Sequence, residues 1–110
     1  MPGLPAADQA FVPPSKLAGY LLDPAHKEGW HKGRFLKSKG FDLADPEAIE
    51  RALLAHGASH EGAVTRTPFG VKYEVDGPLV APDGATANVR TVWMIDDGST
   101  APRFVTLRPL

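Results

Sequence analysis

Apolar side chains follow a helical spacing in the first half of the chain and an alternating one in the second half. Leu17, Tyr20 and Leu21 recur at i, i+3 and i+4, which predicts a short amphipathic helix over about Pro14 to Leu22. Asp23, the residue before a proline, is driven out of the α region, and this ends the predicted helix.

Two further helices are expected before the pattern changes. The first covers about Trp30 to Ser38, and we expect Gly29 and Gly33 to weaken its start because glycine is a poor helix former. The second covers about Pro46 to His56, since an aspartate before this proline supplies an N-cap acceptor and the proline suits the first helical turn. Gly57 is expected to end it.

The second half of the chain alternates apolar and polar residues, which is typical of half-buried β-strands. A hairpin is predicted around the turn at residues 67–70, and Asp76-Gly77-Pro78 and Pro82-Asp83-Gly84 are predicted to form further turns. The longest run, about Thr86 to Ile95, predicts a central strand, and a last strand covers Arg103 to Arg108. All strands are expected to be antiparallel.

This order of elements predicts an α+β fold in which about three N-terminal helices precede a four- to five-stranded antiparallel sheet. Residues 1–13 contain three of the prolines and no helical period, so we expect an N-terminal arm there. Residues 14–110 then form a single α+β domain, because a chain of 110 residues is too short for two independent cores.

Composition excludes several classes of protein. Without cysteine, the chain has no disulfide framework, no thiolate metal site and no cysteine nucleophile. It has no apolar run near the ~20 residues that span a bilayer, so no membrane association is expected. It also has no signal-peptide pattern, so we expect the protein in the cytoplasm, or delivered to a target cell as part of a toxin. A formal net charge of -1 excludes no partner.

Basic residues concentrate between positions 26 and 39, where two His, four Lys, one Arg and a Trp surround a single acid. Cations neutralise phosphate and an aromatic ring can stack on a nucleobase, so this cluster suits a polyanion such as RNA. Candidate substrate-binding residues here are His26, Trp30 and Arg34. The alternative is a solvated helix face whose Trp30 and Phe35 belong to the core.

His31 and Lys32 are the candidate catalytic pair of this segment. Histidine exchanges a proton near neutral pH, and an adjacent ammonium can hold a phosphate. The alternative is that His31 is a surface or helix-capping residue without a chemical role. No metal is expected, because His26 and His31 at i, i+5 do not share a helix face. No cofactor motif is present either.

A second basic group lies on the predicted C-terminal strands. Its members are Arg90, Arg103, Thr106 and Arg108. Arginine binds phosphate in a bidentate way and threonine adds a hydroxyl donor, so Arg90, Arg103 and Thr106 are candidate catalytic residues and Arg108 a candidate substrate-binding residue. The alternative is cross-strand pairing with Glu74 or Asp76.

The segments that carry a family resemblance are Lys16-Leu17 with Tyr20-Leu21-Leu22; His26, Gly29, His31-Lys32, Phe35 and Gly40-Phe41; Gly70, Tyr73 to Leu79 and Pro82-Asp83-Gly84; Val89 to Trp93; and Pro102-Arg103 with Val105-Thr106. Together they resemble a small bacterial family of unknown function that occurs as stand-alone proteins and at the C-terminus of polymorphic toxins. The resemblance runs from about Pro5 to Thr106.

The order of helices and sheet in this family is similar to that of the barnase–EndoU–colicin–RelE group of metal-independent ribonucleases. This similarity implies a cleft between helices and sheet, with His31 and Lys32 facing Arg90, Arg103 and Thr106. The chain departs from the group at its end, because Leu107-Arg108-Pro109 replaces the expected aromatic residue and proline.

The leading hypothesis is therefore a toxin-like, metal-independent endoribonuclease or RNA-binding domain, with tRNA as one candidate substrate. The alternative is a non-catalytic module of a bacterial conflict or phage system that binds an immunity or other partner protein, which predicts an exposed apolar patch near Trp30 or Phe69. A small-molecule binding domain is a third hypothesis, and it predicts a closed apolar cavity.

Overall fold

The change from helical to alternating spacing marks the boundary between helices and sheet in the computed structural model, which describes residues 4–21, 25–27, 29–60 and 62–110. Helix α1 spans Pro14–Lys16 and continues as a π-helical segment over Leu17–Leu21; α2 spans Gly29–Ser38 and α3 spans Pro46–Ser59. The strands are β1 (Gly62–Thr67), β2 (Gly70–Val80), β3 (Thr86–Asp96) and β4 (Arg103–Pro109). The predicted end of α1 at Leu22, with Asp23 and Pro24, lies outside the described residues.

The four strands form one antiparallel sheet in the order β1-β2-β3-β4, so the predicted α+β fold is confirmed. Thr67 pairs with Gly70 across the two-residue loop, which confirms the predicted hairpin. The predicted N-cap of α3 is confirmed as well, since a carboxylate oxygen of Asp45 accepts from the Ala48 backbone N–H at 3.2 Å.

The prediction of a turn at Asp76-Gly77-Pro78 is wrong, because β2 continues through these residues to Val80. Asp76 pairs with Arg90, and Pro78 pairs with Asn88 of β3. Along β2, the backbone N–H and C=O groups of successive residues point in turn towards β1 and towards β3. The Pro78 nitrogen points to the β1 side, where β1 has already ended at Gly62, so the sheet tolerates a proline there. No strand hydrogen bond is lost there.

The prediction that α3 ends near Gly57 is also wrong, since the helix runs on to Ser59 and His60 is its C-cap. Gly57 has another role, which is close packing. A Cβ at this position would lie 2.9 Å from Leu4 Cδ1 and 2.9 Å from Trp93 Cζ2. The glycine lets α3 approach the sheet closely, so its cost in helix propensity is offset by packing.

The core lies between the helices and one face of the sheet. Its largest fully buried side chains include Trp93 and Phe104, whose rings meet edge to face with centroids 5.5 Å apart. The N-terminal segment joins this core through buried Leu4 and Val12. Phe11 forms a parallel bridge with Arg103, so the segment also borders β4.

Candidate functional site

A groove of about 420 Å³ opens where the π-helical end of α1 and the start of α2 meet β4. It is lined by Lys16, Tyr20, His26, Lys32, Val105, Thr106 and Arg108. Among these described lining residues there are three permanent cations, an imidazole and two hydroxyl groups, and no carboxylate. One of the cations, Arg108, lies 3.7 Å from a carboxylate oxygen of Glu74, which does not line the groove. The groove is therefore an electropositive site with hydrogen-bond donors, which suits an anion such as a phosphate group.

Two glycines one helical turn apart bring α2 against α1. A Cβ on Gly29 would lie 1.9 Å from the Tyr20 carbonyl oxygen, and one on Gly33 would lie 2.3 Å from that of Leu21. The i, i+4 spacing places both on the buried face of α2, where no larger residue fits. The sequence interpretation treated them as weak points of the helix, whereas they set the distance that brings His26 and Lys32 to the groove.

Hydrogen bonds fix the aromatic side of the groove. The Tyr20 hydroxyl oxygen lies 2.9 Å from Thr106 Oγ1, and the His26 ring stands edge-on to the Tyr20 ring at a centroid distance of 4.9 Å. The backbone N–H of Gly29 donates to His26 Nδ1 at 3.1 Å. Because Nδ1 accepts this bond, the neutral imidazole carries its proton on Nε2.

The two lysines of the groove are held by different contacts. Lys32 Nζ donates to the Leu107 carbonyl oxygen on the edge of β4. Lys16 Nζ lies 4.9 Å from the centre of the Tyr20 ring, which is a cation–π distance. Both ammonium groups are thus positioned beside Tyr20 and β4.

A β-bulge shapes the β4 side. Thr106 pairs with Val92 and Phe104 pairs with Trp93, so Val105 is an extra residue on β4. Bulges re-aim neighbouring side chains and often occur beside binding sites. Here the bulge lies at the two β4 residues, Val105 and Thr106, that line the floor of the groove.

Three of the predicted site residues lie on another flank of α2. The His31 and Trp30 rings are 4.6 Å apart, and the Arg34 guanidinium lies 4.9 Å from the centre of the Trp30 ring. Trp30 is 37% exposed. Trp30 and Lys32 are two positions apart, so their side chains leave the helix on nearly opposite sides.

Arg90 lies on the sheet face opposite the helices, where it makes the cross-strand pairs that were the alternative expectation. Its guanidinium bonds both carboxylate oxygens of Asp76, at 2.6 and 2.8 Å, and Glu74 at 3.4 Å. The hydrogen bond from Arg90 lowers the pKa of Asp76 below its usual value. The cation is therefore already balanced by two acids.

Arg103 is paired at the other end of β4. It donates to both oxygens of Asp96, at 2.7 and 3.1 Å, and this hydrogen bonding lowers the pKa of the carboxyl group. The structure thus brings four of the nine predicted site residues to one groove: His26, Lys32, Thr106 and Arg108. Arg90 and Arg103 do not line this groove and pair with acids of the sheet, and the groove residue Arg108 also lies 3.7 Å from Glu74.

Sequence reasoning missed Lys16 and Tyr20. The helical spacing of Tyr20 with Leu17 and Leu21 indicated a core residue, and the residue is indeed only 7% exposed. Its hydroxyl group nevertheless reaches Thr106, 86 positions along the chain. A buried tyrosine needs a partner for its hydroxyl group, which was the available signal, but the sequence did not say where that partner lies.

The described ranges contain neither a cluster of metal-ligating residues nor a helix that could span a membrane. No group of three or more His, Asp or Glu residues could hold a metal ion there. In that same part of the chain, no helix has the length and apolar character to cross a membrane.

Comparison with known proteins places the chain in a family. It belongs to the family described as Domain of unknown function (DUF6883), whose model matches residues 3–110. This confirms the expected membership of a small family of unknown function. A search of curated proteins finds no match to the DUF6883 chain.

The DUF6883 chain is also similar in fold to a chain of a solved structure titled "Contact-dependent growth inhibition toxin - immunity protein complex from Klebsiella pneumoniae 342". The TM-score is 0.67 and the sequence identity 11%, and the match covers 94% of this chain and 95% of that one. At this identity the likeness shows a shared fold.

Proposed function

We propose that this domain is a toxin-like endoribonuclease that binds RNA in the groove between α1, α2 and β4. The observation that carries the proposal is the gathering of Lys16, Lys32 and Arg108 around two hydroxyl groups and one imidazole, with no carboxylate among the described lining residues. The fold shared with a chain of a toxin–immunity complex supports a role in a bacterial conflict system. The domain would act in the cytoplasm of a bacterium or of a target cell.

The RNA itself supplies the nucleophile in this mechanism. Its 2′-hydroxyl oxygen attacks the adjacent phosphorus and the bond to the 5′ oxygen breaks, giving a 2′,3′-cyclic phosphate and a 5′-hydroxyl end. Water takes the proton that leaves the 2′ oxygen, and water supplies the proton that the 5′ oxygen gains. Lys16, Lys32 and Arg108 stabilise the extra negative charge on the phosphorane, which is the largest contribution that a preorganised cationic site makes.

His26 and Thr106 orient the phosphate. The neutral imidazole has its proton on Nε2, because Nδ1 is occupied by the Gly29 N–H, so Nε2 donates to a phosphate oxygen. The Thr106 hydroxyl group, bonded to Tyr20, is a second donor or acceptor at the floor of the groove. On the other flank of α2, Trp30, Arg34 and His31 offer a surface on which an unpaired base can stack.

Cleavage is tested on total RNA and on purified tRNA in the presence of EDTA. We expect the wild-type domain to cleave and Lys32→Ala to reduce the rate by about 10²-fold, the usual effect of removing one transition-state donor. Lys37→Ala is the matched control, because Lys37 is an exposed lysine of the same helix and does not line the groove. Intact RNA with the folded wild-type domain would refute the proposed cleavage.

The same assay ranks the other candidates from the sequence. His26→Ala and Thr106→Val are expected to slow cleavage more than His31→Ala, Arg90→Ala or Arg103→Ala, since only the first two positions line the groove. If the substitutions of His31, Arg90 and Arg103 slowed cleavage more, the active site would lie at those residues and not in the groove.

Salt dependence tests binding separately from cleavage. A single-stranded oligonucleotide with 2′-deoxyribose at every position binds without being cut. If the three cations of the groove each neutralise a phosphate, the slope of log K against log salt is about −2, and Lys32→Ala reduces its size by about 0.7. An unchanged slope in this variant would remove Lys32 from the binding site.

A non-catalytic, partner-binding role is the second candidate. This hypothesis predicts an exposed apolar patch near Trp30 or Phe69, and in its support Phe69, at the tip of the β1–β2 hairpin, is 75% exposed. The chain of similar fold comes from a complex with an immunity protein, so an immunity-type partner is the one we propose. RNA that stays both uncut and unbound, together with loss of partner binding in Phe69→Ser, would favour this function.

A further inference from the structure

The two edges of the sheet differ in how they are covered. The edge of β4 is occupied at several points: Phe11 N–H donates to the Pro102 oxygen, Phe104 N–H donates to the Phe11 oxygen, and Lys32 reaches the Leu107 oxygen. Along β1, the part of the chain that the structure describes makes no backbone hydrogen bond beyond those to β2. Within the described residues, the β4 edge is thus covered at several points and the β1 edge is not.

The register of the hairpin shows which groups β1 presents. Thr67 and Gly70 flank a two-residue loop, so their N–H and C=O groups point at each other. The backbone alternates along the strand, and therefore Gly62, Val64 and Arg66 direct their N–H and C=O groups outward, away from β2. An unpaired row of this kind is a template for another strand.

Side chains on the open edge leave room for that strand. Helix α3 packs against β2 and β3 and does not cover β1. Val64 is therefore 60% exposed. The Arg66 guanidinium is bonded to Asp97 of its own chain at 3.2 Å, so its charge is balanced locally. No proline interrupts the segment from Gly62 to Thr67.

We propose that β1 pairs with β1 of a second copy of this chain in antiparallel register centred on Val64. A twofold axis at Val64 pairs Val64 with Val64 of the partner copy. It also pairs Gly62 of each copy with Arg66 of the other. All three pairs join outward-facing groups, so about six backbone hydrogen bonds form. Two exposed valines become neighbours and each arginine faces a glycine, so no like charges oppose one another.

The self-complementary register favours a second copy over an unrelated strand. If two β1 strands pair in any other antiparallel register through these outward-facing groups, fewer hydrogen bonds form or the two Arg66 side chains come closer together. The resulting eight-stranded sheet keeps both β4 grooves at its outer edges, so pairing and RNA binding are independent. A six-residue strand buries less surface than a standard interface, and the dimer is accordingly weak and concentration-dependent.

The first measurement is the mass in solution, by light scattering, over a concentration series from micromolar to millimolar. We expect the wild-type chain to approach twice the monomer mass. Val64→Lys and Val64→Glu should each remain monomeric, because like charges then meet on the twofold axis, whereas an equimolar mixture of the two variants should dimerise. Val80→Lys is the control, since Val80 is a comparably exposed valine at the distant end of β2.

Amide hydrogen exchange gives a second measurement that does not depend on a substitution. The amides of Val64 and Arg66 should gain protection as concentration rises, while that of Thr65, bonded to β2, should be protected throughout. A wild-type chain that stays monomeric up to millimolar concentration overturns the proposal. A dimer that Val64→Lys leaves intact overturns the β1 interface, even if the groove cleaves RNA.

Discussion

The imidazole Nδ1 of His56 lies 2.9 Å from the hydroxyl oxygen of Thr91, and both residues are buried. The same hydroxyl oxygen lies 2.8 Å from the indole N–H of Trp93, which donates to it, and His56 Nε2 lies 3.0 Å from the carbonyl oxygen of Gly77. A carbonyl oxygen only accepts, so Nε2 carries the imidazole proton and Nδ1 accepts from Thr91. The chain of bonds joins α3 to β2 and β3 and is complete when His56 is neutral.

Replacing Thr91 with valine keeps the shape of the side chain and removes its hydroxyl group. Two buried groups, His56 Nδ1 and the Trp93 indole N–H, then lose their partner, so we expect the free energy of unfolding to fall by about 2–4 kcal/mol. Urea denaturation measures the loss. Thr86→Val, at an exposed threonine of the same strand, is the control and should change stability little; a similar loss in both variants would contradict the network.

Protonation of His56 is expected to destabilise the fold. Burial lowers the pKa of His56 below the ordinary value of 6.5, although its bond to Gly77 partly opposes the shift. Between the folded pKa and 6.5 the unfolded chain binds a proton that the folded chain does not. The contribution of neutral His56 to the free energy of unfolding is thus fully present above pH 6.5, and it is lost as the pH falls from 6.5 to the lower pKa of the folded state.

Urea midpoints measured from neutral pH downward check this expectation. The ion-paired carboxyl groups of Asp76 and Asp96 also have lowered pKa values, but they titrate from 3.8 downward and so weaken the fold only in stronger acid. His56→Gln should remove the loss that begins near pH 6.5, whatever its effect on stability at neutral pH. An identical pH profile in this variant would assign the loss to another group.

Gly33→Ala tests the close approach of α1 and α2. Alanine is the better helix former by about 1 kcal/mol, yet its Cβ would lie 2.3 Å from a backbone oxygen of Leu21, so we expect a net destabilisation of about 1–3 kcal/mol. Thermal or urea unfolding measures it. Gly19→Ala is the control because a Cβ there meets no atom within 4 Å; a stabilised Gly33 variant would show that α2 can move away without loss.

Local patterns were sufficient for most of the elements. The i, i+3, i+4 spacing of Leu17, Tyr20 and Leu21, and the aspartate and proline that open α3, predicted helices where the structure has them. Alternation predicted the strands and the loop at Thr67 to Gly70 predicted the hairpin. These signals work because each depends on residues that are close in sequence.

Glycine and proline misled the local argument. Gly57 and Pro78 are ordinary signs of a helix end and of a turn, and both lie inside regular elements. Gly57 is required by the Trp93 ring and Pro78 is tolerated because β1 has ended, and both reasons involve chain segments distant in sequence. No local pattern contains that information.

The sequence by itself determined the fold class, the order of the elements and the chemical character of the segment at residues 26–39, since all three follow from local spacing and composition. Only the tertiary structure decided which cations of the chain lie together. It joined His26 and Lys32 to Thr106 and Arg108, added Lys16 and Tyr20, and paired Arg90 with acids on the opposite face. The physical reason is that a site depends on helix–sheet packing, which a glycine contact and a β-bulge set here at positions far apart in the chain.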